Sequence, residues 1–457
     1  MEREKLVVIG GVAAGMSAAS RAKRNRPDME VTVLERGSFV SYGSCGLPYF
    51  VADLVKDVQG LVVHDADFFR QKRGIEVLTR HEVSRIDTSN KVVVARNLEK
   101  GEEVTLGYDK LAICTGASPV RPEVPGVDLR NVFVIRTAED GVILKDFIKQ
   151  ARPKTAVIVG AGLIGLEMAE ALRARGLAVT VMKRPGSNIL KMFDDDMASL
   201  VEDELRQHGV DLVKEAVIQG FEPVGDGRAG QVVLRDKAYP ADLVLLAAGS
   251  RPNSALARAA GLEVASNGTI VVDERMQTSD PDVFAAGDCV GQKHIITGKD
   301  VYIPRGTTAN KQGRIAGENV SGGNEVFQGV LGTAVSKLFG LTVARTGLSA
   351  TEAAAEGYDF ATSTVAHPSH AHTYPDPEPE DITIKLVMDR KTGWLLGAQM
   401  VGKIGVAKRI DVFATALQSR LTVDEVSRLD LGYSPPFAPV WDAILVAANV
   451  GSRKLKN

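Results

Sequence analysis

Three cysteines in 457 residues, Cys45, Cys114 and Cys289, are too few and too scattered to build a disulfide framework. Aromatic residues make up only 5% of the chain, and neither sign of charge is in excess. The 55 Lys and Arg stand against 57 Asp and Glu, leaving a net charge of −2. The basic field that a phosphate backbone requires is missing, so nucleic acid is not an expected partner. Long apolar runs are missing too: no stretch approaches the ~20 consecutive residues of a membrane span. The first residues, Met1 to Lys5, lead straight into Leu6-Val7-Val8-Ile9 without a secretory core or a small-residue cleavage site. The expected home is therefore a reducing cytoplasm, away from the membrane.

Glycine, by contrast, is plentiful: 45 residues, above the usual ~7%. At about 150 residues per domain the length implies about three domains. The glycines mark an internal repeat. Leu6–Gly15 and Ala156–Gly165 each read as an apolar strand, a glycine turn and the start of an alanine-rich helix. A second strand follows each helix, Val31–Arg36 in one copy and Val179–Arg184 in the other. Each copy closes on an apolar strand that runs into glycine, Lys110–Gly116 and Leu243–Gly249. Two tandem βαβ-type nucleotide-binding units account for this pattern.

The first unit is expected to resume at Thr278–Asp288, a turn and a buried strand, with a helix around Ala309 to Val320. Beyond Asn324 the pattern changes. Ile382–Val387 and Trp394–Gln399 read as a hairpin, and a helix is expected around Lys408 to Gln418. The expected domains are 1–120 with 250–326, then 121–249, then an α+β domain at 327–457. Pro375–Glu380 reads as a stiff loop within the last.

In Gly160-x-Gly162-x-x-Gly165 the glycines allow a tight turn, close approach of backbone to a pyrophosphate, and helix packing against strand. The first turn, Gly10, Gly11 and Gly15, departs from this pattern because Val12 occupies the middle position. The residue that ends the second strand helps to identify the nucleotide. Glu35 suits the ribose hydroxyls of an unphosphorylated adenosine. Lys183 and Arg184 suit a 2′-phosphate, hence NADPH, with NADH as the alternative. One unit for FAD and one for a nicotinamide nucleotide would explain the duplication. Asp288, at the mouth of its strand, could then bond a ribityl hydroxyl or simply cap a helix.

Cys45 lies in Ser41-Tyr42-Gly43-Ser44-Cys45-Gly46-Leu47-Pro48-Tyr49-Phe50, just beyond the Glu35 strand. Leu47, Phe50, Val51 and Leu54 have the spacing of a helix whose N-terminus would lower the thiol pKa. Small polar neighbours beside a dinucleotide turn point to a redox-active sulfur, whereas Cys114 and Cys289 read as packing residues.

With both turns, the Cys45 segment, Phe284–Asp288 and Tyr433-Ser434-Pro435-Pro436-Phe437 in view, the chain resembles the single-cysteine branch of the pyridine nucleotide-disulfide oxidoreductases. Within it the coenzyme A-disulfide reductases are most similar. Phe50 stands where the two-cysteine branch needs its second thiol, and Ala13 where the oxidases usually carry histidine. The resemblance implies an α/β fold with two tandem Rossmann-like domains, for FAD and NAD(P), and a C-terminal α+β dimerisation domain. It further implies an enzyme that reduces coenzyme A disulfide through a Cys45–coenzyme A mixed disulfide. Tyr433 and Tyr374 of a partner subunit would assist the departing thiolate, so the active form would be a homodimer.

The resemblance also implies cofactor contacts at Arg36, Thr115, Gly116, Ala309, Glu167 and Gly249. Coenzyme A contacts are implied at Ser17, Arg21, Arg24, Ser41, Ser44 and Arg73. Ser44 replaces a more usual Asn, and Trp441 replaces an expected Lys. The same group includes polysulfide, sulfur and persulfide reductases, which form the main alternative, followed by NADH oxidase and a non-catalytic flavin redox sensor. No metal is expected; His367, His370 and His372 read as a solvated loop.

Overall fold

The computed structural model describes residues 3–186, 189–225 and 227–456. Apolar runs that lack alternation suit strands buried on both faces of a parallel sheet. Lys5–Ile9 is such a strand, and it sits at the centre of the first unit's five-stranded sheet. The order across the sheet is Val283–Ala285, Lys110–Ile113, Lys5–Ile9, Glu30–Leu34 and Glu76–Leu78, all parallel. The second unit repeats the plan around Thr155–Val159. Its order is Val210–Val213, Ala178–Met182, Thr155–Val159, Leu243–Leu246 and Val132–Val134. Each unit also carries a three-stranded antiparallel sheet, His81–Gly107 in one and Ile218–Pro240 in the other.

The first unit is completed by chain that follows the second. Val283–Ala285 pairs with Lys110–Ile113, and the helix Gly306–Val320 lies against the helix Ala13–Asn25. Glycine makes this contact possible. A Cβ at Gly313 would stand 2.2 Å from the Ala14 carbonyl oxygen, and one at Gly317 would stand 2.3 Å from that of Ala18. The chain crosses between the units twice, and the crossings pair antiparallel as Ala117–Pro119 with Ser250–Pro252.

The C-terminal domain is an antiparallel five-stranded sheet backed by the helices Val406–Gln418 and Ala443–Lys456. Asp381–Asp389 pairs with Leu395–Gly402 as the hairpin, and Phe413 is fully buried beneath them. This domain is fastened to the second unit through Asp194, a buried carboxylate. It accepts from Gln399 Nε2 at 2.7 Å and from the backbone N–H groups of Ala350 and Thr351, and it pairs with Lys385 at 3.1 Å. Burial pushes its pKa up, but these donors outweigh burial and hold it below the ordinary value. Among the described residues no helix is long and apolar enough to cross a membrane.

One local expectation is corrected. After Cys45 the chain makes a single 3-10 turn, Ser44–Gly46, and then a helix of only five residues, Leu47–Val51. Asp53 adopts a left-handed φ of 68°, which ends the helical path and leaves Leu54 exposed instead of on the buried face.

Candidate active site

A continuous cavity of about 2390 Å³ runs where the two units and the C-terminal domain meet. It is lined by both glycine turns, at Gly10 and Gly162, and by Cys45, Asp288 and the start of the helix Gly306–Val320. Most of the sequence-derived cofactor residues gather here: Glu35, Arg36, Thr115, Gly116, Ala309, Glu167 and Gly249 all line it.

In the first turn Gly10 has a φ of 105°, and a Cβ at Gly15 would stand 1.8 Å from the Gly10 carbonyl oxygen. Val12 therefore occupies the middle position without disturbing the turn. The Glu35 carboxylate is fixed by two backbone N–H donors, Gly11 to Oε2 and Gly37 to Oε1, both at 2.7 Å. Each oxygen keeps a further lone pair for a hydroxyl donor in the cavity. Thr115 and Asn253 tie the strand ends together: Thr115 Oγ1 donates to the Asn253 carbonyl, and Asn253 Nδ2 donates to that of Thr115. Asp288 is paired with Arg136 at 2.6 Å. A carboxylate pre-set for hydroxyls and a backbone turn kept clear of side chains fit the adenosine end and pyrophosphate of a dinucleotide.

In the second turn Gly160 has a φ of 122°, and a Cβ at Gly165 would stand 2.0 Å from the Gly160 carbonyl oxygen. A Cβ at Gly162 would meet nothing within 4 Å, so backbone there is open to a pyrophosphate. The basic pair beyond is split. Lys183 is only 8% exposed and pairs with Glu215 at 3.1 Å, while Arg184 is exposed at the same strand end.

Cys45 is open to the cavity. The expected lowering of its pKa does not occur. Burial raises the thiol above its ordinary value and Glu167 adds to the rise, Arg136 opposes it, Asp288 adds again and Arg305 opposes. A five-residue helix cannot outweigh that desolvation. Glu167 is itself raised, first by burial and further by Glu170, against a hydrogen bond from Ser336 Oγ at 2.6 Å. Cys114 and Cys289 are raised by burial, and Cys289 is fully enclosed.

The residues tied to a partner subunit or to coenzyme A lie elsewhere. Tyr433 and Tyr374 are 53% and 41% exposed on the C-terminal domain, beside the exposed Phe437 and Trp441, and outside the cavity of their own chain. Ser44 lines the cavity, whereas Ser17, Arg21, Arg24, Ser41 and Arg73 do not. Arg21 is held by Glu318, with Glu325 at 3.8 Å, and Ser17 Oγ donates to Asn310. Arg24 and Arg73 are exposed, and Arg73 lies over the Phe68 ring. A second correction concerns the histidine loop. His370 is buried, with Nε2 at 3.1 Å from the Tyr374 carbonyl and 2.9 Å from that of Pro377, so it organises the loop that carries Tyr374.

Sequence reading missed Arg136, Asn253, Arg305 and Arg345, all of which line the cavity. None belongs to a local motif. Their neighbours are distant in sequence, and only the position of Arg305 just ahead of the Ala309 helix gave any signal.

The family model for pyridine nucleotide-disulphide oxidoreductases matches residues 4–313, and that for the family's dimerisation domain matches residues 333–443. An NAD(P)H sulfur oxidoreductase (CoA-dependent) of Pyrococcus abyssi is 40% identical over 448 residues, 98% of each chain. A coenzyme A disulfide reductase of Staphylococcus haemolyticus is 30% identical over 442 residues, 96% of this chain and 97% of that one. The solved structure of an NAD-dependent persulfide reductase from A. fulgidus is 41% identical and superposes with a TM-score of 0.95. It covers 99% of this chain and 83% of that one.

Proposed function

The chain belongs to the pyridine nucleotide-disulphide oxidoreductase family, and from that premise we propose that it reduces sulfur–sulfur bonds through Cys45. Membership makes it an oxidoreductase and implies use of FAD and NAD(P)H. FAD, when bound, supplies a two-electron store between the nicotinamide hydride and sulfur. Glu35 and the Gly10 turn would hold its adenosine and pyrophosphate, Asp288 its ribityl chain, and the Gly162 turn the nicotinamide nucleotide. The carrying observation is that Cys45 opens into the one cavity that both glycine turns share.

The Cys45 thiolate attacks one sulfur of the substrate, the S–S bond breaks, and the second sulfur leaves as an anion. Tyr433 and Tyr374 of the partner subunit donate hydrogen bonds to that anion, which makes the working unit a homodimer. We place it in the cytoplasm, where its thiols stay reduced. Among substrates, a polysulfide or a persulfide is the better fit. The relative named for sulfur reduction is 40% identical, against 30% for the one named for coenzyme A disulfide. Arg21, a residue implied to meet coenzyme A phosphate, is already neutralised by Glu318. Coenzyme A disulfide remains the second reading, supported by the match of Ser41 and Cys45–Tyr49, with Ser44 the departure. NADPH is the proposed donor on the strength of Arg184, with NADH accepted.

Purified enzyme assayed with inorganic tetrasulfide, coenzyme A persulfide and coenzyme A disulfide tests the order. Mass analysis of Cys45 after each reaction should show added sulfur with the first and a coenzyme A adduct with the other two, of which only the persulfide also releases hydrosulfide. Cys45→Ser should lose all three activities on the order of 10³-fold or more, while NAD(P)H still bleaches the flavin. Retained turnover in that variant defeats the proposal.

A further inference from the structure

Of Arg136, Arg305 and Arg345, three arginines that line the cavity with Cys45, only Arg305 lacks an acid. Arg136 is matched by Asp288 at 2.6 Å and Arg345 by Glu352 at 2.7 Å. Arg305 has no carboxylate within 4 Å among the described residues. Its contact is the Met192 sulfur, 3.9 Å from a terminal nitrogen, and its Nε is buried without a hydrogen-bond partner. Arg345, close behind it, also leaves a buried Nε unsatisfied. Glu352 is thus taken by Arg345, and Arg305 presents its unpaired charge to the same cavity as Cys45. Leaving a buried donor unpaired costs about 1–3 kcal/mol, more when it is charged, so the position calls for an anion.

We infer that Arg305 is the anion-binding residue of the sulfur site, holding the negatively charged end of a sulfane chain while Cys45 attacks an inner sulfur. The inference rests on the sulfur-reducing reading above and narrows its substrate class to S–S compounds that end in an ionised sulfur. The step balances. The Cys45 thiolate attacks the sulfur next to one end of a polysulfide dianion and gives a Cys45 trisulfide anion (Cys–S–S–S⁻) and a polysulfide dianion two sulfurs shorter, with one S–S bond formed and one broken. The guanidinium matches the charge of the departing chain, which stays anionic and needs no proton at that moment. A neutral disulfide ends in no such charge and gains nothing from Arg305 before its bond breaks. The electrostatics agree in direction: Arg305 favours the Cys45 thiolate, and burial lowers the Arg305 pKa itself.

The test uses two alkylating probes of similar size and opposite charge character on the reduced holoenzyme. Iodoacetate is an anion and iodoacetamide is neutral, so the ratio of their rates at Cys45 cancels the thiolate fraction. Arg305→Gln should lower that ratio roughly 10-fold, and Arg305→Lys should restore most of it. The kcat/KM for inorganic tetrasulfide should fall roughly 10- to 100-fold in Arg305→Gln, with FAD content and NAD(P)H-driven bleaching unchanged. An unchanged iodoacetate-to-iodoacetamide ratio overturns the inference. So does a slowed bleaching step, which would assign the charge to the cofactor. Wild-type enzyme that ignores tetrasulfide and coenzyme A persulfide overturns the substrate reading instead, a result the alkylation ratio does not depend on.

Discussion

In the first nucleotide-binding unit the second strand ends at Glu35, whose carboxylate is clamped by the N–H groups of Gly11 and Gly37. In the second unit the equivalent strand ends at Lys183, sunk against Glu215, with Arg184 at the surface. The two sheets have the same strand plan and the same glycine collision, Gly15 on Gly10 and Gly165 on Gly160. The difference shows that packing fixes the turn, which both units share, while the strand end is left to vary. It also shows why Val12 is tolerated: the indispensable glycine is the one that meets a carbonyl, not the middle one.

The harshest way to break the comparison is to add bulk at both collision points. Gly15→Val should yield protein without FAD, or none that folds. Gly165→Val should retain bound FAD and its colour while the KM for NAD(P)H rises by roughly 100-fold, which absorbance and steady-state kinetics would separate. Colourless protein from both variants would mean that the units do not act independently.

A gentler pair exchanges the charges at the strand ends. Glu35→Gln keeps the shape but removes the charged acceptor, and should weaken FAD retention roughly 10- to 100-fold in equilibrium dialysis. Arg184→Asp should shift the NADPH-to-NADH preference roughly 10-fold toward NADH, leaving FAD content alone. A preference unmoved by Arg184→Asp would return the 2′-phosphate role to Lys183.

The smallest change sharpens the seam between the units. Glu167 belongs to the second unit but raises the Cys45 thiol of the segment built on the first. A negative neighbour disfavours the thiolate, so Glu167→Gln removes that penalty and the Cys45 pKa falls. At a fixed pH below that pKa the thiolate fraction and the iodoacetamide rate should rise a few-fold. The whole pH profile should move toward acid. A profile that moves the other way would mean that Glu167 acts chiefly as a protonated donor.

Much of this was legible in the sequence for a physical reason. Strands buried on both faces advertise themselves as apolar runs, and turns that need glycine name their own positions. Leu6–Ile9 with Gly10 and Gly15, and Ala156–Val159 with Gly160 and Gly165, are read this way. Cys45 stood out because small polar neighbours make a poor core. The helix after it was overread, since apolar spacing at Leu47, Phe50 and Val51 does not report that Asp53 turns left-handed. The raised thiol pKa was hidden because desolvation depends on walls drawn from three parts of the chain. His370 shows the same limit: a polar sequence neighbourhood placed it in water, while two carbonyls of its own loop enclose it.

The interleaved order of the chain carries a last consequence, for synthesis. All five parallel strands of the second unit lie between Val132 and Leu246, so its sheet can close while the ribosome is still translating. The first unit, though made earlier, lacks Val283–Ala285 and the helix Gly306–Val320 until later. At about 5–20 residues per second, it waits roughly ten to thirty seconds as an unfinished sheet with an open edge at Lys110–Ile113. The amino-terminal unit is thus the slower to mature, and its prosthetic group can be captured only after the neighbouring unit has emerged.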